Sequence, residues 1–230
     1  MEWISSHPQL IFYILLVIAV LLSRIPILGK YFRSINTLVH EAGHAFATLI
    51  LSGEIIAVNL FADTSGSTVT KAKNKFSQAM ISLAGYPVSA LTGWLCLFLL
   101  YKGYYLYILF ILTSIALIIM ILSLKNMYGL FWAGTFVVLN LLLIYFNNHT
   151  VIYIFAAFYA LVIFTDAIIS SLILLVLAIK QPKKAGDATN LQKTTKVPAV
   201  VWAILLLAFT LFISWLSVLN YFPSVKTLIS

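Results

Sequence analysis

The sequence predicts an all-α, polytopic membrane protein of about seven transmembrane helices, with a small β-hairpin after the second. Three observations carry that expectation. Of the 230 residues, 63% are hydrophobic and only 9% are charged, and the mean hydropathy is +1.07, far from the balance of a soluble domain. Apolar runs recur along the whole chain, separated by short connections that hold most of the Lys and Arg. One stretch, residues 54–72, breaks the pattern with β-prone sequence and a turn.

The net charge of +8 does not point to nucleic acid, because the basic residues sit between apolar runs, where they act as topology determinants and lipid headgroup contacts. The single Cys96 excludes an intrachain disulfide and a cysteine-based metal site. No stretch is long and polar enough for a separate soluble module, so residues 1–230 read as one membrane domain whose lasting partner is the lipid bilayer.

The first span covers residues 9–23. No basic segment precedes it and no small-x-small site follows; Arg24, Lys30 and Arg33 come next, which fits a retained anchor better than a cleaved signal. The second span, 35–52, ends at Ser52-Gly53, a helix C-terminal signal. Residues 54–72 follow as an interfacial β-hairpin: Glu54 to Asp63 extended, Thr64-Ser65-Gly66-Ser67 as the turn, Thr68-Val69-Thr70 extended again. A free strand edge cannot face lipid, so this hairpin is either a plain connector or a strand that pairs with an unwound segment of another chain.

Residues 76–179 hold spans three to six. Span three, about 76–100, carries Leu83-Ala84-Gly85-Tyr86-Pro87, where small residues permit close helix approach and Pro87 is expected to kink the helix. Spans four (about 104–124) and five (about 128–146) are uniformly apolar apart from Asn140, read as a helix–helix hydrogen bond; His149 reads as a solvated loop residue. Span six, about 151–179, contains Asp166, and no Lys or Arg is expected inside another span to pair with it. Residues 180–197 form a Lys-rich polar loop, and Pro198 opens the last span, 198–222. With the N-terminus inside, nine of the 14 Lys and Arg fall on inner segments, which favours a cytoplasmic hairpin and Lys-rich loop.

The chemistry concentrates at His40-Glu41-Ala42-Gly43-His44, an H-E-x-x-H sequence inside the second span. Four residues apart on a helix, His40 and His44 share a face and can hold one metal ion, while Glu41 beside them is placed to serve as a general base. The bland reading, a chance match, sits poorly with three ionisable groups in an apolar segment. Two histidines leave a catalytic zinc site one protein ligand short, and a buried carboxylate lacks a partner. Each vacancy fits the other, which makes Asp166 the expected third ligand; a neutral, hydrogen-bonded Asp166 is the structural alternative, and Asp187 in the Lys-rich loop is the competing ligand.

With these residues the sequence resembles the site-2 protease class of intramembrane zinc metalloproteases, and specifically its compact, membrane-only M50B-like branch. The resemblance runs from Thr37–Ala45 through Gly53, Asp63-Thr64-Ser65-Gly66 and Ala84-Gly85-Tyr86-Pro87. It continues to Gly186-Asp187-Ala188-Thr189-Asn190-Leu191, Thr195, Val197-Pro198 and Trp202. It implies a Zn2+ cofactor held by the two histidines and a distal aspartate, Glu41 as the residue that activates water, and hydrolysis of a transmembrane protein substrate. It also implies a multi-pass protein of a bacterial cell membrane. Asp166 stands in Thr-Asp-Ala, without the flanking Pro or Gly that larger relatives place around their aspartate. Two other readings use the same residues: a scaffold or chaperone with a structural zinc clamp, and a metal-ion transporter. A clamp or transporter has no need of an acid between its two ligands, and spans four, five and seven are nearly bare of polar groups.

Overall fold

The structure is a computed structural model that describes residues 8–23 and 25–223. Arg24 and Lys226, both counted in the charge balance, lie outside the described residues. Eight helices and one two-stranded sheet follow in the order α1 (Pro8–Leu22), α2 (Leu28–Ile50), β1 (Glu54–Leu60), β2 (Gly66–Lys71), α3 (Lys75–Tyr101) and α4 (Tyr105–Leu122). Then come α5 (Met127–Phe146), α6 (His149–Lys180), α7 (Gly186–Thr195) and α8 (Ala199–Tyr221). The expected polytopic helical architecture with a hairpin after the second helix is what the chain adopts.

Among the described residues five helices, α3, α4, α5, α6 and α8, are long and apolar enough to cross a membrane. The other two expected spans differ for distinct reasons. The described part of α1 has 15 residues, about 22 Å of helix against a hydrocarbon core of about 30 Å. Helix α2 has the length but is amphipathic: it begins at Leu28, a full two turns before the apolar run, and so takes Lys30 and Arg33 into the helix. Its Phe46, Leu49 and Ile50 are exposed on one side while Asn36, Glu41 and His44 are buried on the other. Ser52, at φ +55°, ends the helix, and Gly53 N–H donates back to the Thr48 carbonyl at 2.8 Å, satisfying orphan carbonyls in a Schellman arrangement.

The core is built on α6. Every residue from Ala156 to Phe164 is buried, the mark of a helix surrounded by others rather than facing lipid; α1, α2, α3, α4 and α8 all pack against it. Helix α3 runs without interruption through Pro87. Asn140 is fully buried in α5, and neither of its amide atoms meets the helix–helix partner expected for it. His149 is exposed in the first turn of α6, whose N-cap is Asn148.

Strands β1 and β2 are antiparallel, from Glu54 opposite Lys71 to Leu60 opposite Gly66, with an irregularity between Ile55 and Ala57. The turn falls slightly earlier than the residues suggest: Asp63 accepts from both the Ser65 N–H and hydroxyl at 2.9 and 2.6 Å, and Thr64 takes φ +70°. The outer edge of β1 is covered by the α4–α5 connection, where Val58 N–H donates to the Ser123 carbonyl and Lys125 N–H to the Val58 carbonyl. Asn126 closes that edge by bonding both Leu60 backbone groups. The hairpin is therefore bound into the protein, and among the described residues β2 pairs with β1 alone.

The Lys-rich loop is not structureless. Residues Gly186–Thr195 form α7, which buries Ala188 and Leu191 against Ala199, Ala203 and Leu206 of α8 and Leu174 of α6. Trp202 Nε1 donates to Thr195 Oγ1 at 3.0 Å and Ala199 N–H to Gln192 Oε1 at 2.8 Å, so both ends of the connection to α8 are held.

Candidate metal centre

Arg33, Asn36, Thr37, His40, Glu41 and His44 recur at three- and four-residue steps and so share the inner face of α2. That face lines a cavity of about 870 Å³, whose other walls are β2 from Gly66 to Thr70, Ile81 and Tyr86 of α3, Asp166 of α6 and Asp187 of α7.

The two histidines converge. His40 Nε2 and His44 Nε2 are 3.1 Å apart, with the rings nearly perpendicular. They can meet because α3 presents Gly85 there: a Cβ at that position would come within 2.6 Å of both Nε2 atoms. The next residue, Tyr86, sets its ring edge-on to His40 with centroids 4.7 Å apart. His44 Nδ1 lies 2.7 Å from the Ile81 carbonyl, and a carbonyl only accepts, so Nδ1 carries a proton. In the neutral ring this leaves the Nε2 lone pair aimed at His40 and the cavity.

Asp187 completes the set. Its Oδ2 is 3.1 Å from His40 Nε2 and 3.2 Å from His44 Nε2. Among the described residues this is the group of three His, Cys, Asp or Glu side chains close enough to share one ion. The edges of the triangle match those of a tetrahedron with metal–ligand bonds of 2.0–2.1 Å, about 3.3 Å. The His44 lone pair and a carboxylate oxygen are both acceptors, and a shared proton or a metal ion between them is what holds such a pair at this separation. The residues present thus fit a divalent metal. Burial tends to raise the Asp187 carboxyl, but the His44 imidazole, and then hydrogen bonds with His40 and His44, outweigh it. The carboxyl is held well below the usual carboxylate range, in the ionised form that a ligand needs.

Asp166, expected as the third ligand, lies against other partners in the structure. Arg33 Nε donates to Asp166 Oδ1 at 2.7 Å and Asn36 Nδ2 donates to Oδ2 at 3.3 Å, so both carboxylate oxygens are engaged away from the histidines. The premise that no basic residue lies inside another span failed because α2 starts before its apolar stretch and carries Arg33 on the cavity face. The signal for Asp187 was present in the sequence: Ala185, Ala188 and Leu191 repeat at helical spacing around it. A short helix among five lysines reads as a polar loop by composition, which hid that spacing.

Glu41 is 4% exposed and borders the same cavity. Thr68 Oγ1 donates to Glu41 Oε2 at 2.5 Å. Gly66 lies so close to this carboxylate that a Cβ there would stand 2.5 Å from Oε1. Strand β2 therefore orients the acid, a role for the hairpin that the sequence alone does not show.

A family model described as Peptidase M50B-like matches residues 12–217, nearly the whole chain and every residue of this cavity. No match is found among curated proteins or among solved structures.

Proposed function

The chain belongs to the Peptidase M50B-like family, a membrane peptidase family, and on that premise we propose that it is a zinc-dependent intramembrane endopeptidase. Its substrates are proteins embedded in the membrane or lying against it, cut as in regulated intramembrane proteolysis. The observation that carries this reading is one cavity holding a His-His-Asp cluster, a buried glutamate and the edge of β2, which pairs with no strand but β1 among the described residues.

His40, His44 and Asp187 would hold the ion. When bound, zinc supplies Lewis acidity toward the scissile carbonyl and makes water acidic enough to react near neutral pH. Glu41 takes the proton from the attacking water as its oxygen joins the carbonyl carbon, and delivers a proton to the amine nitrogen as the C–N bond breaks. Thr68 keeps Glu41 turned into the cavity by its hydrogen bond to Oε2. His44 is kept in register by Ile81, and the Gly85 approach keeps both rings in place. A membrane-spanning helix has all its backbone groups satisfied internally and must unwind before any peptide bond is reachable. The β2 edge offers the unwound segment a partner by strand addition.

The test is cleavage of a transmembrane reporter by the purified, zinc-loaded protein in liposomes, beside Glu41→Gln with equal zinc content. Cleavage by the wild type and a loss of about 10²-fold or more in the variant support the reading. Equal behaviour of the two proteins, whether both cut or neither does, overturns it and leaves the structural clamp.

A further inference from the structure

The Gly85-Tyr86-Pro87 stretch leaves α3 unbroken, so its residues act through what they place at the cavity and not through a kink. Gly85 makes room for the two imidazoles. Tyr86, the next residue, borders the metal cavity, and its ring stands edge-on to His40 with centroids 4.7 Å apart. The ring also packs against the apolar cluster shared by α6, α7 and α8, so contacts with both α2 and that cluster hold it in place.

Nothing in the fold uses its hydroxyl. The Tyr86 oxygen makes no hydrogen bond among the described residues, and it is not one of the sealed polar atoms. The charges that act on it are the carboxylates of Asp187 and Glu41, the third candidate ligand and the acid of the site. The free O–H therefore belongs to the metal centre.

Peptide hydrolysis has a use for such a donor. As the water oxygen joins the carbonyl carbon, the π pair of the C=O moves onto the carbonyl oxygen, and a donor waiting where that charge develops lowers the barrier. Glu41 handles the protons of water and amine and leaves this oxygen without a protein donor. Arg33 is bound to Asp166 at 2.7 Å and precedes His40 by seven residues, about 10 Å along α2. Thr68 is committed to Glu41, and among the described residues no lysine borders the cavity. A phenol meets the need, because it donates one hydrogen bond and brings no charge of its own to a site built for a cation.

The arrangement of walls fits that division of labour. Glu41 is oriented from β2 and Tyr86 is presented by α3, while α2, with both histidines, packs against each of them. Base and phenol thus approach the histidines from separate elements, so one can serve the water and the other the carbonyl oxygen.

We propose that Tyr86 is a catalytic residue, whose O–H donates a hydrogen bond to the oxygen of the scissile carbonyl as that oxygen gains charge. The proton stays on the phenol throughout. The electron pair returns to re-form the C=O as the C–N bond breaks and Glu41 gives its proton to the nitrogen. The proposal rests on the metallopeptidase reading above.

Tyr86→Phe tests it in the full-length, zinc-loaded protein in liposomes. The variant keeps the ring against His40 and removes only an oxygen that the fold leaves unbonded, so zinc content and melting temperature should not change. With a transmembrane reporter, kcat should fall by about 10²-fold while KM stays within about twofold. A phosphinic peptide of the reporter's sequence imitates the tetrahedral transition state and should bind the variant more weakly by about the same factor. Binding of the intact reporter, compared between Glu41→Gln and Glu41→Gln with Tyr86→Phe, should be equal. A fall in kcat of less than about threefold, or a loss shared equally by binding of the intact reporter, overturns the role of Tyr86 and leaves the peptidase reading intact. Loss of zinc or of the folded state in Tyr86→Phe also overturns it, because the hydroxyl would then be a structural partner. A wild type that neither cuts the reporter nor binds the phosphinic peptide overturns the peptidase reading, and this proposal with it.

Discussion

Asp187 Oδ2 lies 3.1 Å from His40 Nε2 although the two residues are 147 positions apart. One stands on the inner face of α2, the other in the first turn of a ten-residue helix outside the apolar spans. The candidate metal centre therefore depends on how α7 docks on α3 and α8, and not on α2 alone.

Metal content should separate the two aspartates. Asp187→Ala is expected to lose most of its zinc after purification and dialysis, while Asp166→Ala keeps it, as measured by mass spectrometry of the metal. Retention in Asp187→Ala with loss in Asp166→Ala would reverse the assignment made here.

Gly85→Ala introduces a methyl group whose carbon would stand 2.5–2.6 Å from atoms of both imidazoles. The rings must rotate out of their shared register. We expect zinc affinity to fall by about 10- to 100-fold, the scale seen when ligand-orienting contacts are lost, with the melting temperature changed much less than in a core truncation. Competitive titration against a zinc chelator reads the effect.

Thr68→Val removes the donor to Glu41 Oε2 at nearly constant volume. Zinc should be retained and reporter cleavage should fall by about tenfold, a loss of about 1.4 kcal/mol at the transition state. An unchanged rate would mean that the hairpin does not orient the acid.

Arg33→Met removes the guanidinium that lies 2.7 Å from the Asp166 carboxylate, whose side chain is 4% exposed. Breaking a buried pair from one side costs about 3–5 kcal/mol. Arg33 is itself 23% exposed, so water screens part of the loss and about 1–3 kcal/mol is expected. Arg33→Met with Asp166→Leu should recover part of that loss, because no bare charge remains. Thermal unfolding in detergent compares the three proteins. Equal or greater destabilisation in the double variant would show that the pair contributes more than mutual neutralisation.

Much of the fold was legible because a bilayer imposes strong rules. A chain this apolar must satisfy its backbone in helices, and each long apolar run becomes one. Ser52-Gly53 and Pro198 marked real boundaries. The start of α2 was misplaced because an amphipathic helix does not begin where apolarity begins: Lys30 and Arg33 are helical residues on a polar face. Helix α7 was missed because the five lysines in and around it (Lys180, Lys183, Lys184, Lys193 and Lys196) masked the Ala185, Ala188 and Leu191 spacing that docks it.

By itself, the sequence determined the helical membrane architecture, the hairpin, and the placement of His40, Glu41 and His44 on one helix, because each of these follows from local periodicity. Which aspartate joins them was decided only by tertiary structure. Asp166 looked buried and alone, but packing of α6 against α2 brings it to Arg33 and Asn36; Asp187 looked solvated, but docking of α7 brings it to the histidines. Helical spacing sets which residues share a face over a few turns, whereas a contact across 147 residues is set by how separate helices pack.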